Sequence, residues 1–418
     1  MTLAEEAHEA FEAPNAMPRL RTPVLPSLSA PIVTWGDVFR RGVVLVITVA
    51  ITLLVLFGLV SLGSLTFGIT GAFARTVFYR QVFALVIGFC ALLLFSHIDY
   101  RILRTLQQPL LVFTVLMLTL LLFFGVSIHG SRAWVVIGGV SIQVSELAKF
   151  SFLISLAGYA ARWTRQLKKI SHLLVSLLGT AVFVVLIFFE PDFGTAAVYV
   201  LVWVSFILAL GIERRQLAPL ALAFGGLAMF LWIFVLVPYQ KERIHTFLNP
   251  GRDPLGAGYN LQQSLVAIGS GGLWGRGFAQ GSQSQFAYLP EAQSDFVFSV
   301  VGETFGFVGI SIVLVLWVCL LASLLFLTLR LIDEFAAFFT LGFALLLFWE
   351  VTLPIAIALS FLPVTGLALP FMSAGGTSLV VHLAMLGTLL NILKTAPLRV
   401  REDPVHFLQD GLTPSVPM

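Results

Sequence analysis

Long apolar runs alternate with short polar segments along most of the chain. A helix needs about 20 mostly apolar residues to cross a bilayer, and ten segments approach that length. The ten predicted spans are residues 43–63, 79–96, 109–128, 146–161, 172–189, 194–211, 217–237, 304–329, 336–360 and 377–394. The pattern predicts an all-α, polytopic integral membrane protein with about ten transmembrane helices.

The composition supports a membrane protein and excludes several other classes. The chain is 58% hydrophobic and 11% charged, whereas soluble domains carry about 25% charged residues. A net charge of +3 gives no reason to expect a nucleic-acid partner. Cys90 and Cys319 both fall inside apolar runs, which predicts two buried, unpaired thiols without a structural metal.

The basic residues predict the orientation of the spans. If both termini are cytoplasmic, 16 of the 24 Lys and Arg residues fall on the cytoplasmic side, as the positive-inside rule requires. Residues 1–42 contain five prolines and no apolar run, which predicts a disordered cytoplasmic tail. Residues 397–418 form a second predicted cytoplasmic tail. The one large loop, residues 238–295, then lies outside the cell.

This outer loop has two predicted parts. Residues 240–253 are charged and predict an amphipathic surface helix, whereas residues 255–281 are rich in glycine. Glycine permits close backbone approaches, so we expect a structured loop around a short helix at residues 261–268. The loop ends at Asp295, just before the next apolar run.

Asp295 is the first candidate for chemistry. A carboxylate at the membrane boundary loses solvent, which raises its pKa toward the range of a general base. The alternative is that Asp295 caps the following helix. Glu291 lies four residues earlier, where both carboxylates could share one face of a helical turn.

Several other charged residues are candidates for binding an anionic substrate. Arg132 stands beside Trp134 and could hold a phosphate or anchor the interface. Glu146 and Lys149 share one helix face, where they could pair with each other or bind substrate. Glu303 lies near the start of a span, where charged residues are costly and often functional.

Two further observations limit the chemistry. Glu350 lies in the middle of an apolar run and needs a partner or a proton, but the sequence does not identify the partner. The seven histidines, His382 among them, show no metal-ligand spacing, so satisfied or exposed histidines are expected. No P-loop, Rossmann fingerprint or nucleophile elbow occurs, which argues against nucleotide-driven chemistry.

Motifs spread over residues 43–396 resemble one family, the SEDS proteins of bacterial cell-wall synthesis, which include RodA and FtsW. The matching segments are residues 130–134, 143–149, 191–196, 253–259, 263–264, 267–277, 289–291, 295–298, 362–366 and 370–378. Residues 253–256 and 363–366 resemble the RodA branch more than the FtsW branch.

The resemblance implies a peptidoglycan glycosyltransferase in the bacterial cytoplasmic (inner) membrane, used for cell elongation and shape. Its substrate would be lipid II, which it would polymerise into β-1,4 glycan strands at the outer face. Asp295 matches the essential aspartate of the family and would act as the general base or hold a divalent cation, Mg²⁺ or Mn²⁺. The substrate-binding candidates are Arg132, Glu146, Lys149, Gln263, Arg276, Glu303 and Ser373.

The resemblance has departures and leaves alternatives. Glu190 replaces the usual Gln, Ala374 the usual Tyr and Thr377 the usual Ser, and Glu350 lies where the family commonly has an Asn-containing stretch. A single-span class B penicillin-binding protein is the implied protein partner, beside the membrane lipid itself. A lipid II flippase and a non-catalytic scaffold for cell-wall synthesis remain alternative functions.

Overall fold

The computed structural model describes most of the chain between its two tails. The described residues are 35–66, 71–128, 131–138, 140–166, 169–211, 213–230, 233, 238–248 and 256–399. Residues 1–34 and 400–418 of the predicted tails lie outside the described residues, and so does most of 231–237 in the seventh predicted span. Residues 35–42 begin the first helix, so the prediction of a disordered tail is wrong for them.

A helix lies at each of the ten predicted spans. The fourteen helices described are α1 (Trp35–Thr66), α2 (Gly71–His97), α3 (Tyr100–Thr105), α4 (Gln107–Phe124), α5 (Val144–Trp163), α6 (Ile170–Phe189), α7 (Phe193–Ala209), α8 (Arg214–Phe230), α9 (Pro238–Leu248), α10 (Ala257–Ser270), α11 (Ser282–Gln285), α12 (Val297–Arg330), α13 (Glu334–Ala358) and α14 (Gly376–Thr395).

Seven of the described helices are long and apolar enough to cross a membrane: α1, α2, α4, α6, α12, α13 and α14. The other three predicted spans correspond to α5, α7 and α8. Helix α5 carries Glu146, Lys149 and Arg162, and α7 and α8 are 17 residues long. The prediction of a helical, polytopic membrane protein is confirmed.

A small antiparallel sheet between α4 and α5 was not predicted. Its strands are β1 (Val126–Ile128), β2 (Ser131–Ile137) and β3 (Val140–Gln143), in the order β1-β2-β3. The third predicted span therefore ends at Phe124, not at residue 128. Gly125 makes this possible, because a side chain there would collide with the carbonyl of Arg132 on β2.

The core of the bundle is built from α14 and its neighbours. Of the most apolar 18-residue stretch of α14, 78% is buried, compared with 17% for α2, which packs along it. Cys90 and Cys319 are unpaired as predicted, but both are exposed at the protein surface, so the prediction of burial is wrong. In a membrane protein an apolar helix face can meet lipid instead of protein, and hydropathy does not distinguish the two.

The outer loop is folded against the beginning of α12. The predicted surface helix corresponds to α9, which ends at Leu248, and residues 249–255 lie outside the described residues. The predicted short helix at 261–268 is part of the longer α10. After α10 the glycine-rich chain runs beside a kink in α12 at Gly306, whose φ is +67°.

Candidate functional site

Asp295 lies at the end of the outer loop, half-buried, directly before α12. The N-cap of α12 is Phe296, and the helix begins without a side-chain cap. The capping alternative for Asp295 is therefore wrong, because its position lies one residue too early. Its backbone N–H donates to the carbonyl of Glu291 at 3.0 Å, which closes the last turn of the loop.

The turn before α14 fixes the position of the Asp295 segment. Ser373 Oγ donates to the carbonyl of Ser294 at 2.6 Å, and the Ala374 N–H donates to the carbonyl of Gln293 at 2.8 Å. The Ser373 hydroxyl also accepts the N–H of Leu369 at 2.9 Å. Its one hydrogen is thus used to position the Asp295 segment. The predicted role of Ser373 in binding substrate stays a prediction.

Gly366 brings a second chain segment against the aspartate. Its φ is +74°, and a Cβ at this position would lie 3.7 Å from Asp295 Oδ2. On the other side, a Cβ added to Gly194 would meet the carbonyl of Thr365 at 2.8 Å. The segment 365–367 therefore lies between Asp295 and the turn that starts α7.

Asp192 and Gln143 connect this turn to α14. Asp192 Oδ1 accepts the N–H of Thr195 at 3.1 Å and so caps α7. Its other oxygen accepts Gln143 Nε2 at 2.9 Å, while the Gln143 N–H donates to Thr377 Oγ1 at 3.2 Å. Asp192 thus caps α7 and also links its first turn to Gln143.

Glu190 is a buried carboxyl whose side chain forms no hydrogen bond with any described residue. It is 0% exposed, and neither side-chain oxygen has a hydrogen-bond partner there. Burial, with a smaller contribution from Asp192, raises the pKa of Glu190 to about 8. Its backbone carbonyl accepts Ser131 Oγ at 2.7 Å and the Arg132 N–H at 3.2 Å.

These backbone contacts tie strand β2 to the turn between α6 and α7. They hold Arg132 at the rim of the bundle, with its side chain exposed to solvent. An exposed guanidinium on a fixed strand can bind an anion without first breaking an internal ion pair.

Four ionisable side chains meet inside the bundle. Lys149 Nζ on α5 lies 2.5 Å from Glu146 Oε1 and 2.5 Å from Glu350 Oε1 on α13. The other oxygen of Glu350 lies 2.6 Å from His382 Nε2 on α14. We call Glu146, Lys149, Glu350 and His382 the buried charge cluster. It joins α5 to the consecutive helices α13 and α14, about 200 residues further along the chain.

The contacts of His382 determine how many protons the cluster holds. His382 Nδ1 faces the carbonyl of Ser378 at 2.7 Å, which can only accept a hydrogen bond. Nε2 faces a Glu350 oxygen, so a proton must also lie between these two groups. The Glu350–His382 pair therefore carries one proton more than a carboxylate beside a neutral imidazole. With Lys149 and Glu146 ionised, the cluster has no net charge.

The cluster lies a few turns from the helix ends that are nearest to the Asp295 segment. Lys149 is five residues from the start of α5, which corresponds to about 8 Å along the helix axis. Of its carboxylates, Glu146 is the more accessible, with an 11% exposed side chain, and its Oε2 has no partner within the described part of the chain. Glu146 and Lys149 thus pair, as one of the two predicted interpretations has it. Their role in binding substrate stays a prediction.

Glu303 and Arg276 belong to a separate arrangement in the glycine-rich loop. Glu303 is 0% exposed, and its two oxygens accept the N–H groups of Gln283 at 2.8 Å and Ser284 at 3.0 Å. The Arg276 N–H donates to the Glu303 carbonyl at 2.8 Å, and its side chain is exposed. Glu303 therefore anchors the loop, whereas Arg276 presents its charge to solvent.

Gln263 lies on α10 and is half-buried. Its neighbour Ser264 attaches the helix to the bundle, through Ser299 Oγ at 2.7 Å and the carbonyl of Ala358 at 2.7 Å. Within the described part of the chain, no hydrogen bond joins Gln263 to the other substrate-binding candidates, so its predicted role stays a prediction.

The described residues do not form a protein cage for a metal ion. No three His, Cys, Asp or Glu side chains among them converge closely enough to hold one. Mg²⁺ is often held by one or two carboxylates together with substrate phosphates, so Asp295 fits only as part of such a shared shell. The predicted divalent cation stays a prediction.

Sequence reasoning missed the functions of Glu190, Gln143 and His382. His382 is six residues after Gly376 in α14, and Glu350 is eight residues before the end of α13, so both lie at similar depth. This matching depth could have identified His382 as the partner of Glu350. Glu190 gave no such signal, because its burial depends on how β2 folds over the turn.

Comparison with known proteins places the chain in a family. The family model of the FtsW, RodA and SpoVE cell cycle proteins matches residues 43–397. Stage V sporulation protein E of Bacillus subtilis is 35% identical over 316 residues, which cover 75% of this chain and 86% of that protein. Peptidoglycan glycosyltransferase MrdB of Escherichia coli is 32% identical over 320 residues, covering 75% and 84%.

Solved structures show the same similarity. A chain from a study of polymerization and crosslinking by a peptidoglycan synthase complex has a TM-score of 0.70 and 32% identity, covering 85% of this chain and 97% of that one. The rod shape determining protein RodA of Thermus thermophilus has a TM-score of 0.61 and 30% identity, covering 84% and 96%. This chain therefore belongs to the FtsW/RodA/SpoVE family, the SEDS proteins.

Proposed function

We propose that this chain is a peptidoglycan glycosyltransferase that polymerises lipid II at the outer face of the bacterial cytoplasmic membrane. The observation that carries the proposal is the placement of Asp295, half-buried beside Gly366 and held by the turn before α14. Relatives named peptidoglycan glycosyltransferase support the reaction class.

In the proposed reaction the 4-hydroxyl of the acceptor sugar attacks the anomeric carbon of the donor. The new carbon–oxygen bond forms as the bond to the diphosphate breaks, and the diphospholipid leaves with the electron pair. Asp295 takes the proton of the attacking hydroxyl, a contribution typically worth about 10²–10⁴-fold in rate. The anomeric configuration inverts from α to β.

The leaving diphosphate needs positive charge nearby. Arg132 offers an exposed guanidinium on a fixed strand, and Arg276 offers another on the glycine-rich loop. Lys149 is buried in the charge cluster, where Glu146 and Glu350 hold its ammonium in place. A fixed charge in a site of low dielectric stabilises developing negative charge more than a mobile one in water. We assign Glu350 and His382 the role of positioning Lys149.

We further propose an orientation of the chain in the membrane, a branch of the family and a protein partner. Both termini are placed in the cytoplasm because that orientation leaves most basic residues inside. Identities of 35% and 32% to relatives of different names do not single out one branch, so assignment to RodA rests on the motifs at residues 253–256 and 363–366. A class B penicillin-binding protein is the proposed partner, and the structural neighbour from a peptidoglycan synthase complex supports it.

The test uses purified protein and lipid II, with glycan chains separated on a gel. Asp295→Asn should lower polymer formation at least 100-fold, because the amide cannot accept the proton. Glu291→Gln is the matched control, since it makes the same chemical change four residues away in the same loop. Polymer formation by Asp295→Asn at the rate of the control would contradict the proposal.

A second arm addresses the cation and the partner. The same reaction is run with EDTA, with Mg²⁺ or Mn²⁺ restored, and with or without a purified class B penicillin-binding protein. Loss of polymer with EDTA and its recovery with either metal would support the shared shell at Asp295. Unchanged activity under chelation would remove the cation from the proposal without affecting the role of Asp295 as a base.

A further inference from the structure

A groove lies between α1 and α14 at the end of the bundle opposite to Asp295. It has a volume of about 690 Å³ and is lined by Arg40, Arg41 and Lys394 together with apolar residues of both helices. None of these residues takes part in the proposed reaction.

The groove has a basic rim. Arg40 uses two of its donors on the end of α14, binding the carbonyls of Lys394 at 3.0 Å and Ala396 at 2.8 Å. Arg41 and Lys394 are exposed, and no acidic side chain of the described residues forms an ion pair with any of the three. Arg40 thus joins the two helices, while Arg41 and Lys394 keep their charges available.

The wall below the rim is apolar. Leu45 is 64% exposed, one turn further into the membrane than Arg41, and Thr48 and Leu390 continue the same wall. A basic rim above an exposed apolar wall has the two chemistries of a phospholipid, an anionic headgroup followed by acyl chain.

The position of the groove matches one bilayer boundary. Helix α14 has 20 residues between Gly376, near the Asp295 segment, and Thr395, near the groove. At 1.5 Å per residue this is about 30 Å, the thickness of the hydrocarbon core. The groove therefore lies at the headgroup level of the leaflet opposite to the candidate active site.

We propose that this groove binds an anionic phospholipid of that leaflet. Its phosphate contacts Arg41 and Lys394, and one acyl chain lies along Leu45, Thr48 and Leu390. Basic pockets between transmembrane helices are a known mode of anionic lipid recognition. A lipid bound here would bridge α1 to α14, the helix that carries Thr377 and His382.

The test measures lipid retained by the purified full-length protein in native mass spectrometry. The protein is equilibrated with mixed micelles containing phosphatidylglycerol or phosphatidylcholine. The test variant is Arg41→Gln/Lys394→Gln. The matched control is Arg104→Gln/Arg162→Gln, which removes two exposed charges from the same end of the bundle but outside the groove.

We expect the wild type and the control to retain phosphatidylglycerol in preference to phosphatidylcholine. The groove variant should bind phosphatidylglycerol about thirtyfold more weakly, since each basic residue near an anionic surface contributes roughly a factor of five. Equal losses in both variants would overturn the proposal, because the attraction would then be diffuse. Equal retention of both lipids by the wild type would also overturn it.

Discussion

Glu190 and Glu303 are both completely buried, yet their surroundings differ. Glu303 anchors the glycine-rich loop, because each of its oxygens accepts a backbone N–H of that loop. Glu190 has no side-chain partner among the described residues and lies beside a second carboxyl, Asp192. Burial of a carboxylate costs little when it is fully hydrogen-bonded and much when it is not.

Burial alone therefore does not reveal the charge or the function of a carboxyl. At Glu303 two backbone donors replace the water that the carboxyl lost on burial. Glu190 favours its neutral form, and a neutral carboxylic acid resembles the Gln that the family usually carries there. Glu350 is a third case, since Lys149 and His382 compensate its charge.

We expect the largest loss of stability when Glu350 loses His382, one of the two partners that compensate its charge. His382→Gln leaves Glu350 and Glu146 with only Lys149, and breaking a buried pair typically costs about 3–5 kcal/mol. Glu350→Gln should cost less, because His382 can then release its extra proton. Thermal unfolding in detergent measures both.

The double variant Glu350→Gln/His382→Gln is the control for this ordering. It removes both members of the pair, so it should be no less stable than Glu350→Gln alone. Additive losses in the double variant would mean that the two side chains do not share a proton.

A somewhat smaller loss should follow when Glu303 is neutralised. Glu303→Gln replaces one accepting oxygen by an amide NH₂ that faces a backbone donor, and it removes the charge from both bonds. We expect about 3 kcal/mol of destabilisation and faster hydrogen exchange at the amides of Gln283 and Ser284. Unchanged exchange at these amides would show that Glu303 is not the anchor of the loop.

Unlike the two preceding substitutions, Glu190→Gln should stabilise the folded protein at alkaline pH. The pKa of Glu190 in the folded protein, about 8, is above its ordinary value of 4.5, so the folded state binds the proton more tightly. Stability of the wild type should therefore fall as pH rises from about 4.5 to about 8, and stay low above that.

The Gln variant lacks this slope and should be more stable than the wild type above pH 8. Unfolding is measured across the pH range, with the exposed Glu213→Gln as the control. Parallel curves for the wild type and Glu190→Gln would mean that the buried carboxyl is compensated.

The smallest change in stability is expected at Gly366, where activity should respond instead. Gly366→Ala strains a residue at φ +74° by about 1 kcal/mol and adds a methyl group beside Asp295. Gly211→Ala is the matched control, with φ +77° and nothing within 4 Å of its Cβ. Both should lose similar stability, but only Gly366→Ala should slow polymerisation severalfold. Equal activities would remove Gly366 from the site.

The membrane fold was largely predictable because hydropathy reports the lipid environment directly. All ten predicted spans coincide with helices, although the end of the third was wrong. The sheet at residues 126–143 was missed, since three short strands give too weak an alternation beside an apolar helix. The exposure of Cys90 and Cys319 was missed because lipid-facing and core-facing positions are both apolar.

The candidate site was predictable in its members but not in their connections. Asp295 could be singled out by its place at the end of the loop, and Glu146 and Lys149 by their helical spacing. The pairing of Lys149 with Glu350 joins positions 201 residues apart, and local spacing cannot show such a contact. The anchoring contacts of Ser373 and Glu303 likewise depend on long-range hydrogen bonds that local spacing cannot show.

The sequence alone shows that this protein lies in a membrane, which segments form its long helices, and which family it resembles. These properties follow from local composition and from motifs that are contiguous in the chain. The sequence does not show all the helix ends, since α1, α2 and α12 begin seven or eight residues before the predicted spans. The tertiary structure decided which buried charges are compensated, that His382 holds the partner of Lys149, and that Glu190 has none among the described residues. The free energy of a buried charge depends on neighbours brought by other helices, so only the packed bundle could settle it.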